Sequence, residues 1–219
     1  MLKHHQIGRK ELWQAQLALL VAIGLQLLTR HWGTDILPGT QYFLIFTELI
    51  LAILIGLTAN HQKAHDLGLH HIIAVILLAL ISAANISGLV YVARSLITGH
   101  SPVNGEQLLA AAIAIFITNI IVYALWYWEI DSPGLTRTRW SKNAQDFQFI
   151  QQDPGQVFPN WEPEFLDFLF LAVTNALSFA PADARPLTHQ AKMLMSSQSI
   201  ISIFTLSLVL SRAVGILGS

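Results

Sequence analysis

The chain has 219 residues, 53% of them hydrophobic and 11% charged, with a formal net charge of -1 and no cysteine. A soluble domain usually carries about 25% charged residues, and a near-neutral balance gives no nucleic-acid footprint. Disulfides, thiolate zinc sites, iron–sulfur clusters and cysteine nucleophiles are excluded outright.

Six apolar segments follow one another. The first runs from about Leu12 to Thr29 behind "MLKHHQIGRKELW", and its length, its Gln14, Gln16 and Gln26 and the lack of a small-x-small cleavage pattern make it a retained helix. The second runs from Gln41 to Ala59 after the turn residues Pro38 and Gly39. The third covers Leu69 to about Val92, and the fourth Gln107 to Trp128, with Asn104 placed to cap it. The fifth runs from Pro163 to Phe179 and the sixth from about Thr188 to Leu217. Charge-free runs of this length are membrane helices, because hydrocarbon offers the backbone no other partners.

The expected fold is therefore all-α: a polytopic transmembrane bundle of about six helical segments, the fifth short and either spanning or re-entrant. Three regions divide it. Residues 1–128 form a four-helix transmembrane region, 129–162 a polar interfacial loop, and 163–219 a short helix, a Pro/Asp loop and a long last helix. With the N-terminus cytoplasmic, Lys3, Arg9, Lys10, Lys63, Arg137, Arg139, Lys142 and Arg212 fall inside and Arg30, Arg94, Arg185 and Lys192 outside. That excess of inside cations sets the expected orientation.

The polar residues inside the apolar runs carry the functional expectations. Glu48 sits in mid-segment in "LIFTELILAIL", where a carboxylate is costly and faces a cavity, a partner or a bundle interior. Asn85 and Asn119 are suited to interhelical hydrogen bonds, and Ala84 and Gly88 to close helix contact. On the last helix Gln198, Ser202, Thr205 and Arg212 form one polar stripe, which either knits helices together or lines a pathway. His61 and His65, four apart, are a weak metal pair; an ordinary interfacial turn is the simpler reading. Asp183 either pairs with Arg185, caps the final helix, or forms a ring in an oligomeric pore. No Gly-x-Ser-x-Gly and no His-Glu-x-x-His is present, so no enzyme and no cofactor is expected.

From Glu129 onward, "LWYWEIDSPG" and "FPNWEPEFLDFLFLAVTNALSFAPADARPLTHQAKMLMSSQSIISIFTLSLVLSRAVGIL" resemble a group of uncharacterised bacterial polytopic integral membrane proteins. Asn175, Phe179, Pro181, Asp183, Pro186 and Leu187 carry the likeness. Members of the group read Gly-Gly-Pro where this chain has "SPG", and Ser-Pro-Thr-Asp where it has "APAD". More remotely, a short helix, a loop and a long helix resemble the pore half of two-helix potassium channels. A literal carbonyl filter is disfavoured, because "FAPADARPL" has no glycine and two prolines. The resemblance implies a bacterial inner-membrane protein. The expectation is a channel- or transporter-like protein, homo-oligomeric in the lipid bilayer, whose pathway involves Asn175, Asp183, Arg185, Glu48, Gln198, Ser202 and Thr205. The alternative is a non-catalytic membrane scaffold or subunit of a larger complex.

Overall fold

The computed structural model describes residues 9–31, 49–50, 67–98, 104–131, 145–153, 161–178 and 183–217. Five helices make up most of it: α1 (Arg9–His31), α2 (Leu67–Thr98), α3 (Gly105–Asp131), α4 (Phe165–Ser178) and α5 (His189–Leu217). Apart from Leu49 and Ile50, the segment expected over 41–59 lies outside the described residues, and Glu48, His61 and His65 lie there too.

Ile72–Thr98, Gly105–Asp131 and His189–Gly215 are long and apolar enough to cross a membrane. The 27 residues of α3 rise about 40 Å, against a hydrocarbon core about 30 Å thick. The outward faces agree with a bilayer. Ile72, Ile76 and Ile97 on α2, and Met193, Phe204, Leu210 and Val214 on α5, are exposed large apolar side chains. Water does not tolerate such a surface on a monomer, whereas acyl chains do. The chain is thus a helical membrane protein.

α3 lies at the centre, packed against α1, α2, α4 and α5. Its sequence explains this. Ala111, Ala112, Ala114 and Ala124 are small and buried, and they let neighbouring helices approach closely. Gly88 of α2 uses the same device, since a Cβ there would meet Ile115 of α3 at 3.4 Å. Asn104 caps α3 as its sequence predicts. Its carboxamide oxygen accepts the Gln107 N–H at 2.9 Å, and the Gln107 side chain accepts the Asn104 N–H at 3.2 Å.

The expected short fifth segment is α4, 14 residues long and about 21 Å in rise. Its first turn is fixed by Asp167, whose carboxylate accepts the Glu164 N–H at 2.7 Å. Pro163, expected in the first turn, stands just ahead of it. Tyr127 and Trp128, consecutive on α3, reach Asn175 and Phe165, which lie about 15 Å apart along α4.

The loops hold one element that helix periodicity does not announce. β1 (Phe147–Phe149) pairs antiparallel with β2 (Ala184–Pro186), with Phe147 opposite Pro186 and Phe149 opposite Ala184. β1 lies within the stretch read as a polar interfacial loop, yet Phe147 and Phe149 are buried. Their rings join an edge-to-face cluster, Phe147 on Tyr127 at 5.2 Å and Phe149 on Phe168 at 5.3 Å. Asp131, at the end of α3, holds the strand in place. One carboxylate oxygen accepts the N–H groups of Asp146 and Phe147 at 2.8 and 2.9 Å. α3 thus runs three residues past the expected boundary at Trp128 because its last residue is an anchor.

Asp131→Ala should cost about 3 kcal/mol, because it strips two backbone donors of a charged acceptor. Asp131→Asn, which keeps one acceptor oxygen, should cost about 1 kcal/mol. Reversible unfolding in detergent micelles checks the order; equal stability of all three proteins would refute the anchor.

Candidate functional site: a buried polar seam and a groove with a cationic mouth

The polar stripe of α5 faces inward. Gln198, Ser202 and Thr205 have no exposed surface. Gln198 is the hub. Its Nε2 donates to the carbonyl of Ala172 on α4 at 2.9 Å. Its Oε1 accepts from the Tyr127 hydroxyl at 2.5 Å and from Asn175 Nδ2 at 2.7 Å. Asn175 Nδ2 also lies 3.0 Å from the Met195 carbonyl and 3.2 Å from the Tyr127 oxygen. Three helices, α3, α4 and α5, therefore meet on one amide.

One turn along α5, Ser202 accepts a hydrogen bond from Asn119 of α3 at 3.2 Å. Thr205 returns its hydroxyl to the Ile201 carbonyl at 2.7 Å, a bond within its own helix, and makes no side-chain hydrogen bond to another helix among the described residues. At the far end of the stripe Arg212 Nε donates to the Gly105 carbonyl at 3.3 Å. A Cβ on Gly105 would overlap the Arg212 guanidinium, which would have to shift to make room. Asn85 reaches the Ile115 carbonyl at 3.3 Å, the interhelical role its sequence position suggested.

Beside the seam is a small cavity of about 10 Å³ between Ser82, Asn85, Asn119, Tyr123 and Ile201. That is the lower limit for one water, and four of these side chains are polar. Tyr123 continues the polar line to Ser197 at 2.7 Å, and Trp126 donates to Ser82 at 3.0 Å. Outside this line, Thr118 Oγ1 and Gln26 Oε1 are buried without a hydrogen-bond partner among the described residues.

At its other end the seam meets a groove of about 590 Å³. Arg185 of β2 and Lys192 of α5 stand in it, with Ser196, Ser199, Ile200 and Ile203 along one wall. Asn175 is shared between groove and seam. Its Oδ1 accepts the Ser199 hydroxyl at 3.3 Å on the groove side, while its amide faces Gln198. The described residues lining the groove include no carboxylate.

The expected pairing of Asp183 with Arg185 does not form. Arg185 instead lies 3.5 Å from Asp153, which the strand pairing brings alongside. Nor does Asp183 cap the last helix. Thr188 does so, its Oγ1 accepting the Ala191 N–H at 3.2 Å while its hydroxyl donates to the Asp146 carboxylate. The backbone carbonyl of Asp183 serves the strand pair by accepting the Ile150 N–H at 3.0 Å. Residues 184–186, within the loop considered as a pore mouth, are strand β2.

Asn175 and Arg185 are thus brought to one groove, and Gln198 and Ser202 to the seam behind it. Lys192, Ser199 and Tyr127, which belong to the same arrangement, were not singled out from the sequence. Lys192 had a usable signal as the one cation in the first turn of the last helix; Tyr127, inside an aromatic triplet, had none. No group of three or more metal-ligating side chains occurs among the described residues.

A double-mutant cycle on Asn175→Ala and Gln198→Ala should show a coupling of about 1–2 kcal/mol, because either change alone removes the hydrogen bond the two amides share. Stability measured in the same detergent for all four proteins checks it, and simple additivity would mean that the two amides do not share their bond. No protein-family model, curated protein or solved structure matches the chain; the groove and seam themselves carry the functional reading.

Proposed function

We propose that this protein is a channel- or transporter-like membrane protein whose pathway for an ion or small solute follows the C-terminal helix–loop–helix. One observation carries the reading. A groove open at Arg185 and Lys192 ends on Asn175, and from Asn175 a line of polar side chains runs through Gln198, Ser202 and Asn119 to a small polar cavity. Polar groups inside a membrane protein are costly and mark pathways more often than polar groups elsewhere. The described arrangement is a closed one, because Gln198, Tyr127 and Asn175 occupy each other's hydrogen-bonding capacity. Opening requires the Gln198 amide to exchange protein partners for solute or water.

The finer expectations belong to the same proposal: six segments with a cytoplasmic N-terminus, a bacterial inner membrane, a homo-oligomer, and membership of the bacterial group that the C-terminal region resembles. α4, about 21 Å in rise against a hydrocarbon core of about 30 Å, fits a short untilted span or a re-entrant helix beside the pathway.

A second reading has its own support. Mutual satisfaction of Gln198, Asn175 and Tyr127 is also what a scaffold needs to fix helix register, without any pathway.

Solute flux in liposomes separates the two. The purified chain should release at least one of a panel of small cations and anions. Ser196→Trp, which fills the groove from an exposed position, should cut that release several-fold. Folded protein that releases none of the panel would leave the scaffold reading in possession.

A further inference from the structure

We propose that the groove beside α5 seats an anionic phospholipid of the surrounding bilayer, its phosphate between Arg185 and Lys192 and one acyl chain along Ile200 and Ile203. This goes beyond the reading above by giving the same groove a lipid ligand, and it rests on the lining of the groove alone.

The chemistry of the lining is divided along its length. The mouth holds two cations, Arg185 with Asp153 beside it and Lys192 with no ion pair among the described residues. Lys192 lies in the first turn of α5, where the helix dipole adds positive potential. Arg185 is tied to Asp153, at 3.5 Å and with 67% of its side chain exposed. An exposed pair of that kind contributes little and exchanges readily for a phosphate, which guanidinium binds in bidentate fashion. Ser196 and Ser199 follow, and then the wall turns apolar with Ile200 and Ile203.

The length and openness of the groove fit a lipid better than a free anion. From Lys192 to Ile203 the helix rises about 16 Å, comparable with a good part of an acyl chain. Ile200 is 56% and Ile203 48% exposed, and both continue into Met193 and Phe204 on the outer face of α5. The groove is therefore open sideways to the hydrocarbon. A free phosphate would use the mouth and leave the isoleucine wall idle. A zwitterionic lipid would bring its own cation to a mouth that already holds two.

Binding to the purified full chain in detergent tests the assignment, using acyl-labelled phosphatidylglycerol and phosphatidylcholine with identical chains. Phosphatidylglycerol should bind about tenfold more tightly, as two interfacial cations predict. Arg185→Gln combined with Lys192→Gln should erase that preference, and both residues are exposed enough for the fold to survive, which an unchanged thermal midpoint confirms. Ile203→Trp should weaken both lipids alike by obstructing the chain. Glycerol phosphate should not displace the bound lipid. Equal affinity for the two lipids, a preference that survives the double substitution, or displacement by glycerol phosphate would overturn the proposal, the last in favour of a simple anion site. Lipid binding with silent flux overturns the transport reading alone; flux without lipid preference overturns the lipid alone.

Discussion

Hydrocarbon gives a buried amide nothing to bond, and in this bundle that constraint falls hardest on Gln198. A glutamine in mid-helix with no exposed surface must find two or more partners or cost several kcal/mol. It finds Tyr127 on α3, and Asn175 and the Ala172 carbonyl on α4. Those bonds specify where three helices cross, since a slip of one residue along α5 would turn the amide about 100° away. Apolar packing around α3 supplies bulk attraction with little preference for one register. The amide hub supplies the register. The position of Asn175 between groove and seam follows from it.

The second organising element is ionic and sits at the bundle end. Asp131 terminates α3 and takes two backbone donors of the β1 region. β1 in turn places Asp153 beside Arg185, and Asp146 beside the capping Thr188. A chain of local bonds thus fixes the start of α5, and with it the height of Lys192 and Ser199 in the groove.

Much of this was legible in the sequence, and the reasons are specific. The runs behind α2, α3 and α5 are apolar over lengths that only helices satisfy in a bilayer. Asn104 and Gln107 spell a capping box, and it forms. Gln198 and Ser202 repeat at helical spacing on an apolar background, which says that they face protein. What the spacing cannot say is which partner they face; the choice of Asn175, Tyr127 and Asn119 is tertiary. The strand pair was not legible, because three residues such as "FQF" carry too little alternation to be told from loop. Missing it also misassigned Arg185. Two residues apart, Asp183 and Arg185 look like natural partners, but the pairing of β1 with β2 delivers Asp153 to the guanidinium instead. Thr205 shows the converse, a stripe residue whose hydroxyl turns back to a carbonyl of its own helix.

The position of Gln198 in the chain bears on how the bundle is made. Synthesis delivers α3 and α4 to the membrane before α5. Until the last helix arrives, Tyr127, Asn119 and Asn175 are polar groups in lipid without their final partners. The intermediate therefore has reason to hold these faces toward one another or toward the translocation machinery. Entry of α5 closes all three sites together, which makes its insertion the step at which the assembly commits to one arrangement. A substitution that lengthens the wait, or a hub amide that never arrives, would be met by quality control as an unfinished protein, even though every span has been inserted.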